Sequence, residues 1–111
     1  MNFSNYQTLS NRTAKQLPLH TALLHITTGF AGEVGELADA IKKAEIYGKP
    51  YDMDNIQEEL GDLLWFVSYA CNTFGFSMET VARENIEKLV RRYPDGFSDY
   101  HADKRLDKEV A

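Results

Sequence analysis

One unbroken period limits the fold more than any other feature of this chain. From Leu19 to Ile41 the apolar residues Leu19, Leu23, Ile26, Phe30, Val34, Leu37 and Ile41 recur at spacings of four, three, four, four, three and four. That is the period of an amphipathic helix. A second stripe runs through Ile56, Leu60, Leu63, Val67, Ala70 and Phe74. No stretch alternates apolar and polar residues long enough to argue for a strand. The expected class is all-α.

Turn and cap residues divide the chain into four helices. Ser4, with Gln7 three residues on, predicts the N-cap and capping box of a first helix over 4–15. Pro18 starts the second, which Gly48 and Pro50 break. Asp54 with Gln57 caps a third that Gly75 ends, and Ser77 caps a fourth that Pro94 forbids to continue. The expectation is a four-helix bundle-like protomer over residues 1–94, followed by a polar, unpatterned tail over 95–111. At 111 residues the chain can bury one modest core, so pairing with further copies would add useful buried surface. A homodimer or homotetramer is expected. The net charge of -5 argues against a nucleic-acid polymer or an anionic membrane as partner. No apolar run reaches membrane-spanning length, and the one cysteine, Cys71, excludes an internal disulfide. A reducing, cytoplasmic setting is expected.

Acids interrupt both stripes. Glu33 and Glu36 sit in "GEVGELADAIKK", Glu59 and Asp62 in "EELGDLLWFV", each pair three residues apart. At about 100° per residue Glu33 lies roughly 60°, and Glu36 roughly 120°, from the centre of the second helix's stripe. The same sum places Glu59 about 70° and Asp62 about 130° from the third helix's stripe, with Glu58 nearly opposite the core. If the two helices pack antiparallel, both pairs line one cleft, where four carboxylates repel unless protonated or bridged by cations. Oxygen-only ligands favour a hard ion, Mg²⁺ or Mn²⁺. The plain alternative is a solvated helix face. Gly29, Gly32 and Gly35 each cost about 1 kcal/mol relative to alanine in a helix interior, so close approach of a backbone, a ligand or a crossing helix is the expected reason for them.

The fourth helix has Asn85 within its stripe of Met78, Val81, Ala82 and Leu89, with Lys88 and Arg92 on the same side. An amide, an ammonium and a guanidinium in series can meet phosphate oxygens. A buried structural hydrogen bond for Asn85 and snorkelling for Lys88 and Arg92 are the alternatives.

Together, "GEVGELADAIKK", "EELGDLLWFV" and "NIEKLVRRYP" resemble the E-x-x-E, E-x-x-D and N-x-x-K…RYP pattern of the MazG-like all-α nucleoside triphosphate pyrophosphohydrolases. The resemblance covers about Tyr6 to Pro94, including the "YQ…TA" opening of the first helix. It implies a homo-oligomeric helical bundle that uses Mg²⁺ to cut a nucleoside triphosphate between its α and β phosphates. It further implies metal binding and catalysis by Glu33, Glu36, Glu59 and Asp62, and phosphate contact by Asn85, Lys88 and Arg92. Held cations would turn an acidic cleft into a site for a polyanion. Phe66 and Tyr69 continue the Asp62 side of the third helix, which suits base stacking or ordinary core packing.

A simple hairpin turning between Tyr47 and Asn55 would misalign Glu36 and Glu59 by about 10 Å at 1.5 Å per residue. An early end to the second helix, near Ala44, with the chain doubling back through "YGKPYDMD", removes the conflict. A di-iron carboxylate bundle needs Glu-x-x-His pairs, and none of His20, His25 and His101 has a Glu three residues before it. The remaining rival is a non-catalytic helical adaptor or an inactive family member that binds nucleotide or a protein partner.

Overall fold

The computed structural model describes residues 1–108. It is all-helical: α1 (Phe3–Ser10), α2 (Leu19–Glu45), α3 (Met53–Phe74), α4 (Met78–Arg92) and α5 (Asp99–Lys104), with single 3-10 turns at Asn11–Thr13 and Leu106–Lys108.

Two expected caps move by two residues. Asn2, not Ser4, caps α1, its side chain accepting from the Asn5 N–H at 2.8 Å. Gln7 is then free to act at long range: it donates to Asn72 Oδ1 and to the Phe76 carbonyl, and accepts from the Met78 N–H at 2.8 Å. It ties α1 to the turn between α3 and α4. Asp52, not Asp54, caps α3 by accepting from the Asn55 N–H. Ser77 caps α4, and Gly75 ends α3 at φ 76°, a left-handed conformation that glycine adopts without a Cβ penalty.

The main pair is α2 with α3. His25 meets Phe66 and Tyr69, Phe30 meets Phe66, and Glu33 approaches Glu59 and Asp62. Early α2 thus lies against late α3, which makes the pair antiparallel. Helix α2 ends at Glu45, and the chain doubles back at once: the Lys49 N–H donates to the Lys43 carbonyl at 3.1 Å, with Gly48 at φ 68°. That return brings the two acid pairs level, as the early-end reading requires.

The buried line of α2 shares only Ile26 with the stripe of large residues, of which Leu23, Phe30 and Leu37 are half-buried. Ala22, Ile26 and Ala40 are buried, whereas Leu19, Val34 and Ile41 are exposed, Val34 by 52%. Small residues on one line let α3 come close, and the close approach turns the larger ones to the rim. Gly29 belongs to this line, because a Cβ there would stand 2.2 Å from the Phe66 ring. Gly32 and Gly35 face open space, so close approach accounts for Gly29 alone. Helix α3 is rotated in the same sense. Glu59, Phe66 and Tyr69 are buried on the side facing α2, while Leu60 is 53% exposed; Ser68 and Cys71 are buried on another face, where the Ser68 hydroxyl meets that of Ser10.

Within the expected tail over 95–111, residues Asp99–Lys104 form α5 and Leu106–Lys108 a 3-10 turn, while 109–111 lie outside the described residues. Ser98 caps α5, and Asp107, its side chain fully covered, pairs with Arg92 of α4.

Candidate functional site

Glu33 of α2 and Glu59 and Asp62 of α3 each offer a carboxylate oxygen within 4.8 Å of the others. Helical geometry explains the grouping. The three-residue spacing puts Glu59 and Asp62 on neighbouring turns of one face, and the antiparallel register brings Glu33 opposite them. Glu36 joins by direct contact with Glu59. Glu59 is 5% exposed, deeper than the boundary position expected of it, whereas Glu58 is exposed.

The electrostatics are those of carboxylates crowded without a counter-charge. Two ionised carboxylates cannot hydrogen-bond to each other, so contact between them favours a shared proton. Glu36 is accordingly held above the ordinary carboxylate range, chiefly by its contact with Glu59. Glu59 is raised as well, first by its contact with Glu33 and then by burial. Glu33 Oε2 and Glu59 Oε2 are both buried with no hydrogen-bond partner. Buried polar atoms are nearly always satisfied, and an oxygen-only donor set grouped this closely, with two of its members carrying an unpaired oxygen, fits a hard divalent cation. The residues present therefore suit the metal that the sequence pattern implies.

Two neighbours of the acids escaped sequence reasoning. Tyr6 of α1 comes near Asp62, and its hydroxyl is raised above the ordinary phenol value, first by burial and then by the Asp62 charge. The "YQ" opening was a family signal, but only the docking of α1 on α3 shows what the tyrosine approaches. His25, two turns before Glu33, packs edge-on against Phe66 and Tyr69 at 5.4 and 5.0 Å, and its Nδ1 is buried without a partner. A histidine on an amphipathic helix carried no sequence signal for that.

The other expected site residues are more scattered. Phe66 and Tyr69, 9% and 6% exposed, lie in the α2–α3 seam as packed core. On α4, Asn85 is exposed rather than set in a core stripe, and Lys88 is half-buried. Arg92 is engaged elsewhere, its Nε and Nη2 donating to Asp107 at 2.8 and 3.0 Å. That pair holds the Asp107 carboxyl well below the usual carboxylate range.

Residues 21–97 match the MazG nucleotide pyrophosphohydrolase domain. The chain belongs to that family. The match contains every acid of the cluster and reaches past Pro94. A curated relative, the Gene 37 protein of Mycobacterium phage L5, is 32% identical over 87 residues, covering 75% of this chain and 76% of its own length. Its name says nothing of activity. No solved structure matches the chain. At the level of the family this is a pyrophosphohydrolase-type domain whose acidic cluster suits a divalent metal.

Proposed function

We propose that this MazG-family chain hydrolyses a nucleoside triphosphate to the monophosphate and pyrophosphate, using Mg²⁺, for which Mn²⁺ can substitute. The observation that carries the reading is the convergence of Glu33, Glu59 and Asp62 with two buried, unpartnered carboxylate oxygens. Glu36, in contact with Glu59, supplies the fourth carboxylate.

When bound, a hard divalent cation supplies positive charge for the polyphosphate and Lewis acidity at the phosphorus under attack. The chain's own part is positional. Rigid placement of the acids on two packed helices fixes where the α phosphate lies, and orientation of this kind lowers the barrier to in-line attack. Lys88 and Asn85 of α4 are the proposed contacts to the outgoing phosphates. Arg92 adds to them only when it leaves Asp107. Self-association, as a homodimer or homotetramer, is part of the proposal, because exposed Leu24, Leu60 and Leu64 leave apolar faces of α2 and α3 open.

A panel of ribo- and deoxynucleoside triphosphates incubated with Mg²⁺ tests the reading. Pyrophosphate is the expected inorganic product, and excess chelator is expected to abolish its release. Orthophosphate as the sole product, or full turnover in chelator, would refute it.

A further inference from the structure

Arg92 stands in the last turn of α4, on the same side of the helix as Lys88 and Asn85, the proposed contacts to the outgoing phosphates. Its guanidinium is already taken. Nε and Nη2 donate to the two carboxylate oxygens of Asp107 at 2.8 and 3.0 Å, a bidentate fork, and Arg105 Nε approaches the same carboxylate at 3.6 Å. The Asp107 side chain is fully covered, and that of Arg92 is 17% exposed. Asp107 lies beyond residue 97, where the family match ends. The partner of Arg92 therefore belongs to this chain's own C-terminal segment rather than to the family domain.

A carboxylate and a phosphate present the same pair of oxygens to a guanidinium, and one fork holds one of them at a time. Two arginines gathered on one covered carboxylate make an anion site whose occupant is part of the chain. Docking of the segment and binding of a phosphate at Arg92 are then mutually exclusive, so each weakens the other. Little of the segment is held by burial: no residue from 98 to 108 is buried as a whole, and elements with few buried contacts open locally at low cost. Helix α4 is fixed separately, at its start, where Met78 is buried and its N–H donates to Gln7. Release of the segment would free Arg92 without unmaking the helix that carries it.

We propose that the C-terminal segment over 98–108 is an autoinhibitory clasp, in which Asp107 occupies the Arg92 guanidinium in place of a phosphate and polyphosphate binding displaces it. The clasp rests on the proposed function for reading Arg92 as a phosphate contact. It raises the polyphosphate concentration that half-saturates the protein and leaves the acids of α2 and α3 untouched.

The test uses the full chain, with inorganic tripolyphosphate and Mg²⁺ as the probe. Calorimetric titration compares the wild type with Asp107→Asn and with Asp103→Asn, which removes the same charge at an exposed position of α5. Asp107→Asn is expected to bind tripolyphosphate about tenfold more tightly. Asp103→Asn is expected to stay within about twofold of the wild type, because an exposed charge is screened. Hydrogen exchange of the wild type gives a second reading that needs no variant: saturating tripolyphosphate is expected to speed exchange across 98–108. Affinity in Asp107→Asn no tighter than in the wild type, or no binding by either, overturns the proposal. So does equal tightening in both variants, which would be a general effect of charge, and so does exchange over 98–108 that is unchanged or slowed at saturation. Neither measurement cuts a bond, so its outcome is separable from that of the hydrolysis. Pyrophosphate release from a nucleoside triphosphate with an unchanged KM in Asp107→Asn would remove the clasp and leave the hydrolysis standing.

Discussion

Glu58 and Glu59 are chemically identical and differ only in the direction α3 gives them. Glu58 is exposed, and Glu59 is buried among the other acids. Glu59→Gln is expected to lower turnover by a factor on the order of 100 or more, and Glu58→Gln to change it less than about threefold, in steady-state pyrophosphate release. Equal, wild-type rates in both variants would make the acids a solvated face. Crowding of the acids also sets a pH dependence. Glu36 and Glu59 bind protons more tightly folded than unfolded, so their ionisation weakens the folded state as pH rises through and above the ordinary carboxylate range. In chelator, Tm is therefore expected to rise as pH is lowered from 7 toward about 5. Asp107 acts oppositely, since its lowered value makes its contribution fall away only below the ordinary aspartate range. Saturating Mg²⁺ should flatten the rise, because the cation then supplies the missing counter-charge. A metal-free Tm that falls steadily over this window would contradict the crowded-carboxylate account.

Along the elements, the small residues of α2 decide how near α3 can come. A Cβ on Gly29 would meet the Phe66 ring at 2.2 Å, and that ring is confined by Trp65, His25 and Phe30. Gly29→Ala is expected to destabilise by about 1–3 kcal/mol through overpacking. Gly32, one turn short of Gly35 and facing open space, has no such neighbour. Gly32→Ala is expected to leave the protein as stable or raise its stability by up to about 1 kcal/mol through helix propensity. Chemical denaturation of the two variants checks the contrast, and a Gly32→Ala protein as weakened as Gly29→Ala would show that another surface covers that face. Both helices were legible from their period and from Pro18 and Gly75, and α4 from Ser77. The caps at Asn2 and Asp52 were not, because Ser4 and Asn5 in α1 and Asp54 and Asn55 in α3 also suit a cap, and only the backbone path chooses among them. The helix at Asp99–Lys104 was hidden for another reason: six residues with none buried show no apolar period, and the Arg92–Asp107 pair ties down the chain just after it.

Taken as a whole, the molecule is spread out for its length. Its radius of gyration is 17.4 Å, against about 13 Å for a compact chain of this size. Leu24, Leu60 and Leu64 are exposed on the central pair of helices and Val81, Ile86 and Val90 on α4. Apolar surface of this kind on a small domain calls for a partner surface. Light scattering at micromolar concentration is expected to return a mass of at least twice 12.7 kDa. A monomeric mass would overturn the self-association.

The sequence by itself determined the helical class, the two long helices and the identity of the four acids, because period, caps and three-residue spacing are local properties of the chain. Which acid is buried was a tertiary matter. The stripe of large residues pointed to one line on α2, but interhelical distance is set by the smallest residues at the crossing, and Ala22, Gly29 and Ala40 turned both helices toward each other along a different line. That rotation carried Glu59 from the rim into cover and placed Phe66 and Tyr69 in the packed seam. Contacts between residues 65 apart, such as Gln7 with Asn72, depend on how all the helices pack at once, and no local pattern encodes them.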